Sequence, residues 1–309
     1  MSGLMESHAQ EAFPNRPIRV VVPYAPGGTT DILARLVTQK MSEQLKQQVV
    51  IENKPGAGTI IGAQSVATAP ADGYTLLMAA SSTLSVNPFT YKKLSYKVED
   101  FAPVSLVGKV AFAFSVTNSI PVQDLKGLVA YAKQRSGALN YGNIGLGSST
   151  HLFMKKVEES LGIRMQDVTY KGSGPALMDL VSGQIQVYAD GVLASAPFHQ
   201  NKQTKIVAVS SEKRLDSIPD APTFAELGYP ELTIYTWYGI VAPAATPKDR
   251  IAVLNAAIVR ALSEPDVQER IARNGATPQA TTPEDFAKTI ADSSKVFGEI
   301  ARKYDFNLQ

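Results

Sequence analysis

Most of the side chains in this chain that could do chemistry sit in short segments rich in glycine and hydroxyls. Each segment lies where a β-type run gives way to a helical pattern. The first is V-V-V-P-Y-A-P-G-G-T-T-D over residues 20–31, which places Tyr24, Pro26, Gly27, Gly28, Thr29, Thr30 and Asp31 in one turn. The first N–H groups of a helix have no partner inside it, and the helix dipole adds partial positive charge there. Such a turn is therefore suited to an anion. Pro26 fixes the backbone, the glycines allow close approach, and the threonines supply hydroxyl donors. Taken alone, the stretch is also explained as a tight connection with Thr30 or Asp31 as N-cap.

The same device recurs along the chain. G-N-I-G-L-G-S-S-T-H over 142–151 brings Gly147, Ser148, Ser149, Thr150 and His151 ahead of an apolar helix. K-G-S-G-P-A over 171–176 brings Lys171, Gly172, Gly174, Pro175 and Ala176. Ser81, Ser82 and Thr83 follow one further strand pattern, and Asp190 follows another. Ligands of open α/β sheets bind outside the carboxyl ends of the strands. Loops of this composition at one sheet edge describe a cleft lined with donors. Backbone amides, hydroxyls and Lys171 favour an anionic group, while Asp31 and Asp190 hold loops or meet an amine. A charge-assisted hydrogen bond contributes about 1.5–3 kcal/mol. Three or four would sustain a micromolar complex, about 8 kcal/mol, after ordering costs. Tyr24, Phe89, Phe198, Trp237 and Tyr238 are candidates for apolar walls, or else for core. The distal side of the pocket, with Ser81, Ser82, Thr83, Asn87, Phe89, Lys171 and Phe198 as candidates, would choose among acids.

Catalytic readings have less support. The chain has no G-x-S-x-G elbow, and 142–148 lacks the lysine and spacing of a P-loop. G-A-G-T-I-I-G over 56–62 is one residue out of step with the dinucleotide fingerprint and suits a closely packed helix start. His151 beside Ser148 and Ser149 reads as a structural or ligand-contacting imidazole rather than half of a Ser–His pair. The alternatives are an enzyme acting on a small anion, with His151 and Asp31 or Asp190 as acid and base, and a sensory effector-binding module. The 309 residues are 44% hydrophobic and 19% charged, with a formal net charge of +2, so no basic surface points to nucleic acid. There is no cysteine and there are three histidines, His8, His151 and His199, with no close pair, so neither a metal nor another cofactor is implied. No apolar run approaches the roughly 20 residues needed to span a bilayer.

The elements that must position these loops follow from periodicity. Strands are expected at 18–22, 49–52, 74–79, 139–141, 167–170, 185–189 and 205–209. Helices are expected at 30–44, through about 68, and at 122–135, 151–161 and 176–182. No regular element is read between 190 and 204. Two long β-type stretches, 104–116 and 232–242, flank the middle block, and helices at 247–262, 265–274 and 283–304 each begin at or near a proline. Alternating strands and helices argue an α/β class with a mainly parallel sheet. The two long stretches suggest a discontinuous first domain, 14–110 plus 235–309, with a second, 111–234, inserted between them. Residues 1–12 are polar and aperiodic and lack the basic start and apolar core of a secretory signal. Through about residue 13 the chain reads as a leftover linker or disordered tail before a mature start near Phe13, with a frayed cytoplasmic N-terminus as the alternative.

R-P-I-R-V-V-V-P-Y-A-P-G-G-T-T-D (16–31) resembles the signature of the Bug family, the periplasmic solute-binding proteins of tripartite tricarboxylate transporters. E-N-K-P-G-A-G-T-I-I-G-A (52–63), A-D-G-Y-T-L-L (71–77), N-Y-G-N-I-G-L-G-S-S-T-H (140–151) and Y-K-G-S-G-P-A-L-M-D-L-V-S-G-Q-I (170–185) resemble it too, in the same order. The resemblance implies a two-lobed type II periplasmic-binding-protein fold that closes on a small carboxylate. The loop from Pro26 to Asp31 and that from Gly147 to His151 would grip it, with Lys171 to Ala176 and Asp190 nearby. It further implies a periplasmic monomer that delivers its ligand to membrane permease subunits. Trp237, on one of the two crossings, would report closure by its fluorescence.

Overall fold

The computed structural model describes residues 13–309 except Asn274, Asn307 and Gln309, so the polar N-terminal stretch read as a tail lies outside the described residues up to residue 12. The chain begins β1 (Ile18–Val22), α1 (Thr29–Leu45), β2 (Val49–Asn53), α2 (Ile60–Ala67), β3 (Thr75–Ala80), α3 (Asn87–Thr90) and a long β4 (Phe101–Thr117). It continues α4 (Leu125–Gln134), β5 (Asn140–Asn143), α5 (Ser149–Leu161), β6 (Gln166–Thr169), α6 (Ser173–Ser182), β7 (Val187–Gly191), α7 (Val192–Gln200) and β8 (Thr204–Val209). It closes with β9 (Tyr235–Pro243), α8 (Lys248–Ser263), α9 (Pro265–Ala272), β10 (Ala276–Pro278) and α10 (Pro283–Lys303). No helix among the described residues is long and apolar enough to cross a membrane.

The strands form one hydrogen-bonded path, β2-β1-β3-β9-β4-β7-β5-β6, with β8 and β10 also on β4. Pairing is parallel in the two outer groups, β2-β1-β3 and β7-β5-β6, and antiparallel wherever β9 or β4 takes part. β4 is the spine of the molecule. From Phe101 to Ala111 it pairs with β9, and from Phe112 to Val116 with β7. Two irregularities of register bend its first half, one of them at Pro103, whose missing N–H a bulge tolerates. The change of partner divides the molecule into two lobes of a type II periplasmic-binding-protein fold; the largest apolar cluster joins Val20 and Leu33 of the first with Val192, Leu193 and Ile206 of the second, and another centres on Phe112 and Phe153.

Period-2 alternation sends Phe112, Phe114 and Val116 of β4 into the second core, where Phe112 stacks on Phe153 of α5 at 4.5 Å. Val20 and Val22 of β1 join Leu33, Leu36, Val37 and Met41 of α1 in the first, which is the amphipathic stripe expected of that helix. α10 spans both lobes, burying Phe286 against Trp237 in one cluster and Phe297 and Ile300 in the other. Its start is well specified: Pro283 in the first turn, and Thr282 Oγ1 accepting from the Asp285 N–H at 3.1 Å. At the N-terminus Phe13 packs edge-on against Tyr74, with ring centroids 5.0 Å apart.

Several starts differ from the periodic reading. α5 begins at Ser149 and α6 at Ser173, because Ser148 and Gly172 occupy the N-cap positions. β7 runs on to Gly191, so Asp190 stands on the end of a strand, and α7 follows without a loop. Pro197 inside α7 obscures its periodicity, and burial of Val192, Leu193, Ala194, Ser195 and Ala196 holds it helical.

Gly239 lies in β9 between Ala79 and Leu106, and a Cβ there would collide with the buried ring of Phe286. Gly239→Ala is expected to cost about 1–3 kcal/mol by overpacking. Urea unfolding should show a lower midpoint with unchanged slope; an unchanged midpoint would mean that α10 does not seat on the crossing strand.

Candidate functional site

The first loop leaves β1 at Val22 and enters α1 with Gly28 as N-cap and no side-chain cap. Asp31 organises it. Its Oδ2 accepts from the Gly27 N–H at 3.1 Å and from Arg35 Nε at 2.9 Å. Its Oδ1 accepts from Arg35 Nη2 at 3.0 Å and Asn53 Nδ2 at 2.9 Å. Burial alone would raise this carboxyl, but the bonds from Arg35, Asn53 and Gly27 outweigh it and hold Asp31 below its ordinary range. Asn53 also donates to the Tyr24 carbonyl, so the whole turn hangs from one saturated carboxylate. Arg35 and Asn53 escape the sequence reading, although the i,i+4 spacing of Asp31 and Arg35 was a usable signal.

The loop from β5 to α5 is tied differently. His151 Nδ1 accepts from the Gly147 N–H at 3.0 Å, and Ser148 Oγ accepts from the His151 N–H at 3.4 Å. Ser148 and Thr150 hydroxyls bond each other at 3.0 Å, and Thr150 Oγ1 takes the Ile144 N–H. The His151 ring packs edge-on to Phe306 at 4.8 Å, and burial lowers its pKa to about 4. Ser148, Thr150 and His151, expected as ligand donors, thus spend these polar atoms on the turn itself. Ser149 is the one that reaches across: its Oγ and its N–H meet Ser82 Oγ at 2.9 and 3.1 Å.

The two lobes touch at several further points. Ala25 N–H donates to the Lys171 carbonyl at 2.9 Å, Thr29 Oγ1 to the Gly191 carbonyl at 3.1 Å, and Tyr91 OH to the Leu146 carbonyl at 2.9 Å. A Cβ on Gly28 would lie 2.9 Å from that of Ser173, and one on Gly174 would meet the Pro26 carbonyl. α1, α6 and α7 begin at this contact with Gly28, Gly172 and Gly191 as N-caps, none capped by a side chain. Their first-turn N–H groups have no partner inside their own helices.

Beside them lies a cluster of buried polar side chains. The hydroxyls of Tyr24, Thr83 and Tyr188 and Oδ2 of Asp190 have no hydrogen-bond partner in the protein. Ser82 and Thr83 face Tyr24, whose phenol is raised by burial. Asp190 Oδ1 accepts from Ser173 Oγ at 2.9 Å, and burial pushes this carboxyl up to about 7. A separate cavity of about 360 Å³ is lined by Tyr24, Gly58, Tyr91, Ile144, Leu146 and Lys171. Of the other expected residues, Thr30 is buried in the first turn of α1. Ser81 Oγ is spent on Thr236 Oγ1 at 2.5 Å. Ala176 is buried in the α6 core, and Pro26, Gly27 and Pro175 are exposed at the rim. Tyr91 and Tyr188 escape the sequence reading, since each stands without a loop signature, whereas Tyr238, read as a candidate wall or core residue, is buried beside Asp190. No group of three or more His, Asp or Glu among the described residues could hold a metal.

A histidine held at about 4 favours the fold only while neutral. That contribution is complete above the ordinary value of about 6.5 and drains away as pH falls from there toward 4. Between pH 7 and 4.5, wild type should lose about 2 kcal/mol more unfolding free energy than His151→Asn. Urea titrations of both proteins at the two pH values test this; parallel losses would place the imidazole in contact with solvent.

The model of the family described as the tripartite tricarboxylate transporter family receptor, TctC, matches residues 33–306. The structure of the periplasmic binding protein BugD superposes with a TM-score of 0.92 at 32% identity, over 96% of this chain and all of that one. MatC of Rhodopseudomonas palustris with bound malate gives 0.89 at 32% identity, over 94% of this chain and 100% of that one. R. palustris Rpa4515 with adipate gives 0.91 at 33% identity, over 94% and 98%. A receptor family has no use for the acid–base enzyme reading of His151, Asp31 or Asp190. The chain is a solute-binding protein of the TctC family.

Proposed function

We propose that this receptor captures a small carboxylate between its lobes, closes on it, and hands it to the permease of a tripartite tricarboxylate transporter at the periplasmic face. The observation that carries the reading is the set of direct hydrogen bonds across the cleft, packed around three uncapped helix starts and buried polar atoms without protein partners. Two structural relatives hold malate and adipate. Gly28 to Thr30, Ser82, Thr83, Ser149 and Gly172 to Gly174 would supply the grip, with Tyr24 and Asp190 behind them and Lys171 at the mouth.

The arrangement is the closed state of a two-state receptor. An open state follows from rotation where β4 changes partners, between Ala111 and Phe112, and where β9 begins at Tyr235. The inserted body would then run from 111 to 234 and the discontinuous one over 14–110 and 235–309, with the C-terminal half of α10 seated on the inserted body through Phe297 and Ile300. An anion that touches both lobes binds the closed state better and shifts the population toward it. The receptor works as a monomer, and the permease would read the surface that closure assembles.

A panel of small acids that includes malate and adipate tests the ligand class by thermal shift. An acid present at 100 times its Kd should stabilise the protein by about 2.7 kcal/mol, a shift of several degrees. If no acid in a broad panel moves the melting temperature, the reading is wrong. Gly28→Phe should keep its circular dichroism and its acid-free melting point yet show no shift, because the ring would hold Ser173 away. Retained affinity in that variant would remove the first loop from the site.

A further inference from the structure

Asp190 ends β7 on the cleft side, 2% exposed, with Oδ1 held by Ser173 Oγ at 2.9 Å and Oδ2 without a partner. The titratable groups that face it come from three elements: Tyr24 after β1, Tyr188 on its own strand, and Tyr238 on β9. Burial raises all three phenols, so each stays a neutral hydroxyl. Arg35 is committed to Asp31, and Lys171 lies exposed at the rim. What acts on the charge of Asp190 is loss of water, opposed by the Ser173 hydroxyl and the Gly191 N–H. An ionised Asp190 would therefore sit buried without a cation, and an entering carboxylate would add a second negative charge beside it. Two like charges in a desolvated site cannot both persist, and the group with no cation takes a proton.

We propose that Asp190 closes into the cleft as the neutral acid and offers the proton on Oδ2 to the captured anion. This makes Asp190 the residue that selects an anionic group over an ammonium, and it ties capture to uptake of one proton. The inference rests on the carboxylate-receptor reading for its ligand. When the cleft is open and wet, the carboxyl titrates in its ordinary range near 4. When it is closed, burial pushes it up to about 7. The sign follows: closure is fully favoured below the open-state value, and the advantage is lost as pH rises through the closed-state value.

Isothermal titration of malate and adipate into wild type and Asp190→Asn, between pH 5 and 7.5 in two buffers of different ionisation enthalpy, reads the proton directly. Wild type should take up close to one proton more per acid bound than the variant near pH 6. The wild-type-to-variant affinity ratio should fall more than tenfold from pH 5 to 7. Asp190→Asn, neutral at every pH, should bind at least as tightly as wild type at pH 7.5. Loss of binding in the variant at both ends of the range would mean that Asp190 works as a carboxylate, and superimposable pH profiles would deny it the proton; either result overturns the proposal.

A second readout needs no acid. Ser82→Cys with Ser149→Cys, whose hydroxyl oxygens lie 2.9 Å apart across the cleft, can be oxidised to lock the closed form. The carboxyl carbon of Asp190, assigned by its absence from the Asn variant, should titrate near neutrality when locked and near its ordinary value when reduced. An ordinary value in the locked form overturns the proposal. Failure of both acids to bind wild type while the locked form titrates near neutrality would count against the ligand class alone.

Discussion

The backbone N–H of Ala25 reaches across the cleft to the carbonyl of Lys171, and the rest of the site depends on that approach. Two peptide segments from different lobes come this close only where side chains are absent or small. Gly28 and Gly174 meet that need where a methyl group would strike Ser173 or the Pro26 carbonyl. The same lack of bulk leaves the helix starts uncapped, because a capping side chain would fill the space. Small residues thus do two things together: they let the lobes touch, and they leave first-turn N–H groups free for a ligand.

The energetics explain why closure should need a ligand. Each direct bond across the cleft replaces bonds to water and contributes only about 0.5–1.5 kcal/mol net. Against that stands the burial of Tyr24, Thr83, Tyr188 and Asp190 with polar atoms unmatched by the protein, a cost of about 1–3 kcal/mol for each group that finds no other partner. A bound acid of the kind proposed would add charge-assisted bonds of about 1.5–3 kcal/mol each. Converting a mostly open population into a mostly closed one takes about 5.5 kcal/mol of differential binding, which two or three such bonds supply.

Much of this frame was legible in the sequence because it is local. The β-branched run of β1, the apolar stripe of α1 and the proline-led start of α10 follow from periodicity and capping, and the structure puts them within a residue of where they are read. The glycine–hydroxyl loops were legible as a set for the same reason. What resisted reading is tertiary. Pro197 hides α7, which survives by burial; Tyr188 stands beside Asp190 from a strand interior that looks like core. His151, read as a structural or ligand-contacting imidazole, packs against Phe306 and gives its Nδ1 to the turn, while its buried Nε2 has no partner in the protein. No pattern of spacing separates a hydroxyl that holds its own loop, such as Ser148, from one that crosses to the other lobe, such as Ser149.

The central claim is mechanical: one small acid, touching both lobes, holds them together. Small-angle X-ray scattering measures it most directly, before and after saturation with an acid that binds. The account predicts a larger radius of gyration without the acid, contracting on saturation to the value calculated for the closed arrangement described above. Saturation with a bound acid and no change in scattering profile would contradict it.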